Sequence, residues 1–199
     1  QQVHKHDRLN QAQGAEGDEQ GSPAFVEHDQ GKAQGTEEGE DVSVIEQGMR
    51  QTQQEQERQA LEASTVDKVQ PGEQQPETDH QMETDESYTG NTNNVFYRDA
   101  RNGHYFSYLM QTDGLTNLKL RLKYWGVGEW KSHEFDIYID DVLLRSINNT
   151  GKYRISEFKA ETYDIPATLL QDKKQVRVKF VAKPNKQIGE IYEVRLIKQ

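Results

Sequence analysis

Residues 117–144, NLKLRLKYWGVGEWKSHEFDIYIDDVLL, carry the clearest hydrophobic pattern in the chain. Leu118, Leu120, Leu122 and Tyr124 alternate with Lys119, Arg121 and Lys123. After a short interruption, Phe135, Ile137 and Ile139 alternate with Asp136, Tyr138 and Asp140. A period of two sends successive side chains to opposite faces of a strand. Each strand therefore has one apolar face, which a second layer must cover. The joining segment, Trp125-Gly126-Val127-Gly128-Glu129-Trp130, reads as a loop with two tryptophans that are costly to leave in water.

The same alternation recurs from residue 95 onward. Residues 95–100, 104–112, 142–147, 157–165, 176–183 and 190–198 read as further strands, with Phe106, Tyr108 and Met110 on one side of the second of these. Arg101-Asn102-Gly103, Asp113-Gly114, Asp140-Asp141 and Asn148-Asn149-Thr150-Gly151 supply turns between them. About eight short strands at such spacing predict an all-β fold, an antiparallel β-sandwich of jelly-roll kind over 95–199. Phe135, Ile137, Ile139, Val176, Val178 and Phe180 are expected in its core, on facing sheets. Trp125 continues an inward-facing run and is expected with Tyr124 in the core or in domain packing, whereas Trp130 is the better exposed platform. Arg98 with Asp99 is expected to form a structural ion pair or a hydrogen-bond anchor, not a ligand site.

The N-terminal half has a different character. Residues 1–85 hold 20 acidic and 6 basic residues, and the remainder 14 acidic and 18 basic. The overall balance is −10, and hydrophobic residues make up only 32% of the chain, a deficit concentrated before residue 64. Such a segment cannot offset an ordering entropy of roughly 1–2 kcal/mol per residue. Residues 1–63 are therefore expected to be a polar acidic tail or linker, mostly disordered, with a marginal helix over 47–63. Residues 64–94 are expected to be a long loop that wraps over a neighbour, apart from a short strand at 65–69.

Candidate chemistry is sparse. The chain has no cysteine, which excludes disulfides, thiol catalysis and thiolate metal sites. The histidines His4, His6 and His28 stand in the tail, where nothing would hold metal ligands in place. Asp79, His80, Asp85 and Glu86 are expected to pack as polar loop residues, so no metal site and no cofactor is expected. Glu134, Asp136, Asp140 and Asp141 could be paired on paper as hydrolytic carboxylates, but their strand and turn positions fit solvated side chains. No catalytic residue is assigned. A surplus of only four positive charges after residue 85, with no aromatic-and-basic motif of an RNA-binding sheet, argues against nucleic acid. No run is long or apolar enough to cross a membrane, and the N-terminus has no apolar signal-peptide region.

From about residue 64 onward the sequence resembles a known module. The segments TVDKVQPGEQQPETDH (65–80), YRDA (97–100), YFSY (105–108), KYWG (123–126), FDIYID (135–140), IPATLL (165–170) and VRVKFVAKP (176–184) carry the resemblance in order. The module is the C-terminal accessory domain, domain of unknown function 6805, of bacterial glycoside hydrolase family 127 proteins, which are β-L-arabinofuranosidase-like. The resemblance implies a galactose-binding-like sandwich beside a catalytic barrel, in a secreted protein, extracellular or periplasmic. Catalysis in that family uses a cysteine nucleophile in a zinc site, and a chain without cysteine inherits none of it. Two readings follow: a non-catalytic module that binds a glycan, or a purely structural domain that docks in cis on a catalytic glycosidase module. Sugars are held by aromatic faces and polar side chains. The candidate ligand contacts are therefore Trp130, Trp125, Tyr124, Glu129 and His133.

Overall fold

The inward-facing alternations pair into two antiparallel sheets in a computed structural model that describes residues 38–126 and 132–199. The chain divides into two units, Gln1–Val44 and Ile45–Gln199. Of the first unit, only the opening of a helix lies among the described residues, and the expected disordered tail over residues 1–37 falls outside them.

The described part opens on helix α1 (Glu38–Ser64). It is nine residues longer at its start than the 47–63 expectation. Residues 42–60 are exposed throughout, in keeping with the missing apolar face. Its surface is laced with local bonds, Arg58 to Glu55 and Gln53 to Glu57 among them, all solvent-screened and weak.

The six-stranded sheet contains β1 (Thr65–Val69), β3 (Tyr88–Thr92), β4 (Val95–Asp99), β6 (Leu118–Trp125), β9 (Phe158–Asp164) and β11 (Ile191–Lys198). Its order is β3-β4-β11-β6-β9, and β1 also pairs with β11. The five-stranded sheet has β2 (Glu83–Thr84), β5 (Tyr105–Gln111), β10 (Gln175–Ala182), β7 (Glu134–Ile139) and β8 (Val142–Asn148) in the order β2-β5-β10-β7-β8. Two short helices, α2 (Gln74–Asp79) and α3 (Ala167–Leu170), lie in the connections. The fold is thus an all-β, two-sheet sandwich.

The core is the set that alternation marks. Leu118, Leu120, Leu122 and Tyr124 are buried against Phe106, Tyr108, Met110, Phe135, Ile137, Ile139, Val176, Val178 and Phe180. The two expected core groups do not face each other, however. Phe180 stands beside Ile137, and Val178 beside Ile139, as neighbours in one sheet. Their cover is β6 and β11 of the other sheet.

Residues 65–92, expected mostly as loop, supply β1, β2, β3 and α2. These strands are short and largely polar because they lie at sheet margins, although β1 ends on the buried Val69. Asn93 and Asn94 turn β3 into β4, and Asp140 and Asp141 turn β7 into β8; all four have positive φ, as a tight two-residue hairpin demands.

A buried polar knot closes the sandwich at one edge. Glu77 of α2 accepts bonds from Arg98 Nε at 2.6 Å and Arg98 Nη2 at 2.5 Å. It also accepts from the Tyr108 hydroxyl and the Gly72 amide, each at 2.8 Å. The remaining Arg98 nitrogen donates to Ser87 Oγ at 2.6 Å. Arg98 therefore pairs with Glu77 and not with its neighbour Asp99. Adjacent strand residues point to opposite faces, and Asp99 is instead bonded by Arg101, two residues along. Burial alone would push the Glu77 carboxyl up, but the bonds from Arg98, Gly72 and Tyr108 together hold it below the usual carboxylate range.

Two outcomes follow. Ile137→Ala should cost about 2–5 kcal/mol in urea unfolding, the range for a buried aliphatic truncation. A loss under roughly 1 kcal/mol would contradict the burial of β7. Glu77→Gln should cost about 3–5 kcal/mol, because it leaves the Arg98 charge buried without its carboxylate. The Glu77 contribution is complete above the ordinary carboxylate range and is lost as pH falls through the lowered folded value. The wild-type urea midpoint should therefore fall on acidification more steeply than that of Glu77→Gln; parallel curves would contradict this.

Candidate functional site

The outward face of the six-stranded sheet carries a row of aromatic rings. Tyr124 takes the inward position at the end of β6, so alternation sends Trp125 outward, where it is half-buried. Its cross-strand partner on β9 is Phe158, and the two rings meet edge-on with centroids 4.8 Å apart. Phe158 meets Tyr192 edge-on at 5.0 Å, and Tyr192 lies 5.3 Å from Tyr97 of β4. Tyr192 reaches this row through an irregularity between Ile191 and Glu193, where β11 gains a residue against β6. Its ring is fully buried under its neighbours, and its hydroxyl donates to Thr92 Oγ1 at 3.0 Å. Tyr97 stands opposite Gly90, where a Cβ would collide with the phenol ring. Glycine there is what lets the ring lie flat on β3.

A charged row runs alongside. Glu193 accepts from Arg121 Nη1 at 2.7 Å and from Arg195 Nη2 at 2.8 Å, while Lys123 Nζ stands 3.6 Å away. Burial pushes the Glu193 carboxyl up, but these three cations hold it below its ordinary value. Arg195 also donates to Glu62 of α1 and to Thr65. Gln54, Glu57, Arg58 and Leu61 of α1, with Arg121, line a groove of about 380 Å³ beside this row.

The sequence-chosen residues separate. Trp125 is the one that reaches the outward face, contrary to the expectation of an inward ring. Tyr124 is buried, 4% exposed, with its ring stacked on Tyr153 and its hydroxyl 3.1 Å from that of Tyr163. His133 is 6% exposed, packs against Gly189 and donates its amide to Thr150 Oγ1 at 3.0 Å. Neither presents a face to a ligand. Trp130 and Glu129 lie outside the described residues. Phe158, Tyr192 and Tyr97 escaped sequence reasoning, because the row is assembled from four strands whose order no alternation encodes.

The paper candidates for metal and acid–base chemistry are dispersed. His80 bonds Asp67 at 3.0 Å, whereas Asp85 bonds His104 at 3.0 Å. The bond to Asp67 raises the His80 pKa, so its stabilisation is complete below the ordinary histidine value and lost as pH rises through the raised one. Glu134 is bonded by Lys186, Asp136 by Lys183 and Ser146, Asp140 by Lys173, and Asp141 by Lys179. Among the described residues, no group of three or more His, Cys, Asp or Glu is placed to hold a metal ion.

The profile of a family of unknown function, DUF6805, matches residues 60–197, and the chain belongs to that family. No functionally curated protein matches it. Solved structures show distant likeness. A family 35 carbohydrate-binding module from Clostridium thermocellum is 7% identical with a TM-score of 0.45, over 59% of this chain and 92% of that one. A family 36 domain of a multidomain xylanase from the hindgut metagenome of Trinervitermes trinervoides is 15% identical at 0.46, over 66% and 96%. A plant receptor-like kinase is 12% identical at 0.48, over 66% and 41%. Likeness this remote carries no argument about a ligand.

The two neighbouring aromatics of β6 should respond differently to truncation. Trp125→Ala should cost about 1–2 kcal/mol, as for a half-exposed ring. Tyr124→Ala should cost about 3–5 kcal/mol, as for a fully buried aromatic. Urea unfolding of the two variants checks this, and the reverse ranking would place Trp125 inside.

Proposed function

We propose that this chain is a non-catalytic accessory module of a secreted bacterial glycoside hydrolase of the family 127 kind, and that it binds carbohydrate through the outward aromatic row. The observation that carries the reading is Trp125 standing half-exposed beside Phe158 at one end of the aromatic row, with Lys123 over the Phe158 ring and Arg121 and Glu193 next to it in the charged row. Pyranose and furanose rings have apolar C–H faces that lie against aromatic rings, while their hydroxyls need planar or charged polar groups. One sheet face offers both. Trp130 and Glu129, in the segment that joins β6 to β7, are proposed as further contacts. The module's partners are then a glycan and a catalytic module in cis.

A second reading has the same support in a different use. Aromatic rings with arginine at the rim are also enriched at protein interfaces, so the row would serve equally to dock on a catalytic barrel.

Affinity electrophoresis of the full chain in gels of plant cell-wall polysaccharides separates the two. Retardation by a polysaccharide that Trp125→Ala or Phe158→Ala abolishes, while each variant still unfolds cooperatively with its melting temperature lowered by only several degrees, is the expected result. Retardation that both variants retain would move the site elsewhere. If no polysaccharide retards the wild type, the docking reading stands in its place.

A further inference from the structure

We infer that the saccharide bound at this face is acidic, a uronic-acid-containing glycan whose carboxylate is received by Lys123. The inference rests on the proposed glycan reading and adds the chemical class of ligand.

Lys123 is the cation at the junction of the two rows. Its ammonium lies 5.8 Å from the Phe158 ring centroid and is the side of the charged row nearest the aromatic surface. The carboxylate it faces, Glu193, already takes short bonds from Arg121 and Arg195, and its 3.6 Å separation from Lys123 is beyond a hydrogen bond. Lys123 thus helps to neutralise Glu193 without spending its donors on it. An ammonium has three N–H groups to give. About a third of the Lys123 side chain is exposed, so the donors are reachable from solvent.

The surrounding charge has the matching sign. On the sheet surface, Lys68, Arg121, Lys123 and Arg195 stand with Glu62 and Glu193, while Lys119 is matched by Asp164. On the groove wall, Glu57 stands with Arg58, which is itself bonded to Glu55. A cation surplus therefore lies over β6 and β11, in a chain whose overall charge is −10. In a hexuronate the carboxylate is fixed to the ring at one carbon. A sugar ring stacked on Trp125 would carry that group to its own margin, toward Lys123, whose ammonium stands over the neighbouring edge-on Phe158 ring. A neutral hexose puts a hydroxymethyl group there, which a cation holds less strongly.

The test uses oligomers of galacturonate, glucuronate and mannuronate, each beside its carboxyl-reduced counterpart, which keeps the ring and linkage and loses only the charge. Titration calorimetry on the full chain at low salt should find one acid bound about tenfold or more tightly than its reduced form. Lys123→Gln should erase that preference, Lys123→Arg should keep most of it, and added salt should shrink it. Equal binding of acid and reduced forms would overturn the inference, as would a preference that survives in Lys123→Gln. Neutral glycans bound without any acid would overturn it while leaving the glycan reading intact. Binding of no saccharide at all would overturn both.

Discussion

The sandwich depends on a single carboxylate. Glu77 sits on a six-residue helix too short to hold itself together, and it takes four donors from three separate parts of the chain. Arg98 comes from one sheet and Tyr108 from the other, so the bond is a rivet between layers. A buried ion pair adds little net stability over an apolar filling, but losing one partner is severe. That asymmetry makes such a group an effective specifier: β4 and β5 must meet in this register or leave a charge stranded. The consequence reaches the opposite surface. With Arg98 drawn inward to Glu77, strand geometry turns Tyr97 outward, where it ends the aromatic row. The inside of the edge thus sets the outside of the site.

What was legible in the sequence is what period two encodes. Every apolar residue assigned inward in the 118–124 and 135–139 alternations is buried, because that face cannot be exposed without large cost; Asp136, expected to be solvated, is buried as well, held by Ser146 and Lys183. Strand order is another matter. Alternation says that Ile137 and Val178 are inward, and nothing about whether they face each other or sit side by side. Only pairing decides that, and β10 lies between β5 and β7. The margin strands were hard to see for a related reason. Tyr88-Thr89-Gly90-Asn91-Thr92 has no apolar face, since it borrows its place from β4.

The site failed in the sequence at two specific points. Trp125 was grouped with Tyr124 because both follow a run of inward leucines, yet one step along a strand reverses the face. The pattern itself held the answer; the size of the indole obscured it. Tyr192 was unreadable for a deeper reason. A simple alternation along 191–197 puts Ile191, Glu193 and Arg195 together, but the extra residue in β11 returns Ile191 to the inward side opposite Tyr124. A bulge has no signature here apart from its effect, and its effect is to bring a tyrosine into the row.

Glu193 explains how a strongly charged strand face is held in order. Left alone, Lys123 and Arg121 on one strand and Arg195 on the next would repel one another and swing into water. A carboxylate placed among them, itself kept ionised by their field, holds Arg121 and Arg195 in fixed bonds and keeps Lys123 near by attraction. Ordering these side chains has then been done on folding, and a ligand need not repeat it. The arrangement would be wasteful for stability alone, since apolar residues would cover the face of β11 more cheaply. It holds cations in order beside half-buried rings, with Lys123, the least tightly bonded of them, nearest the Phe158 ring.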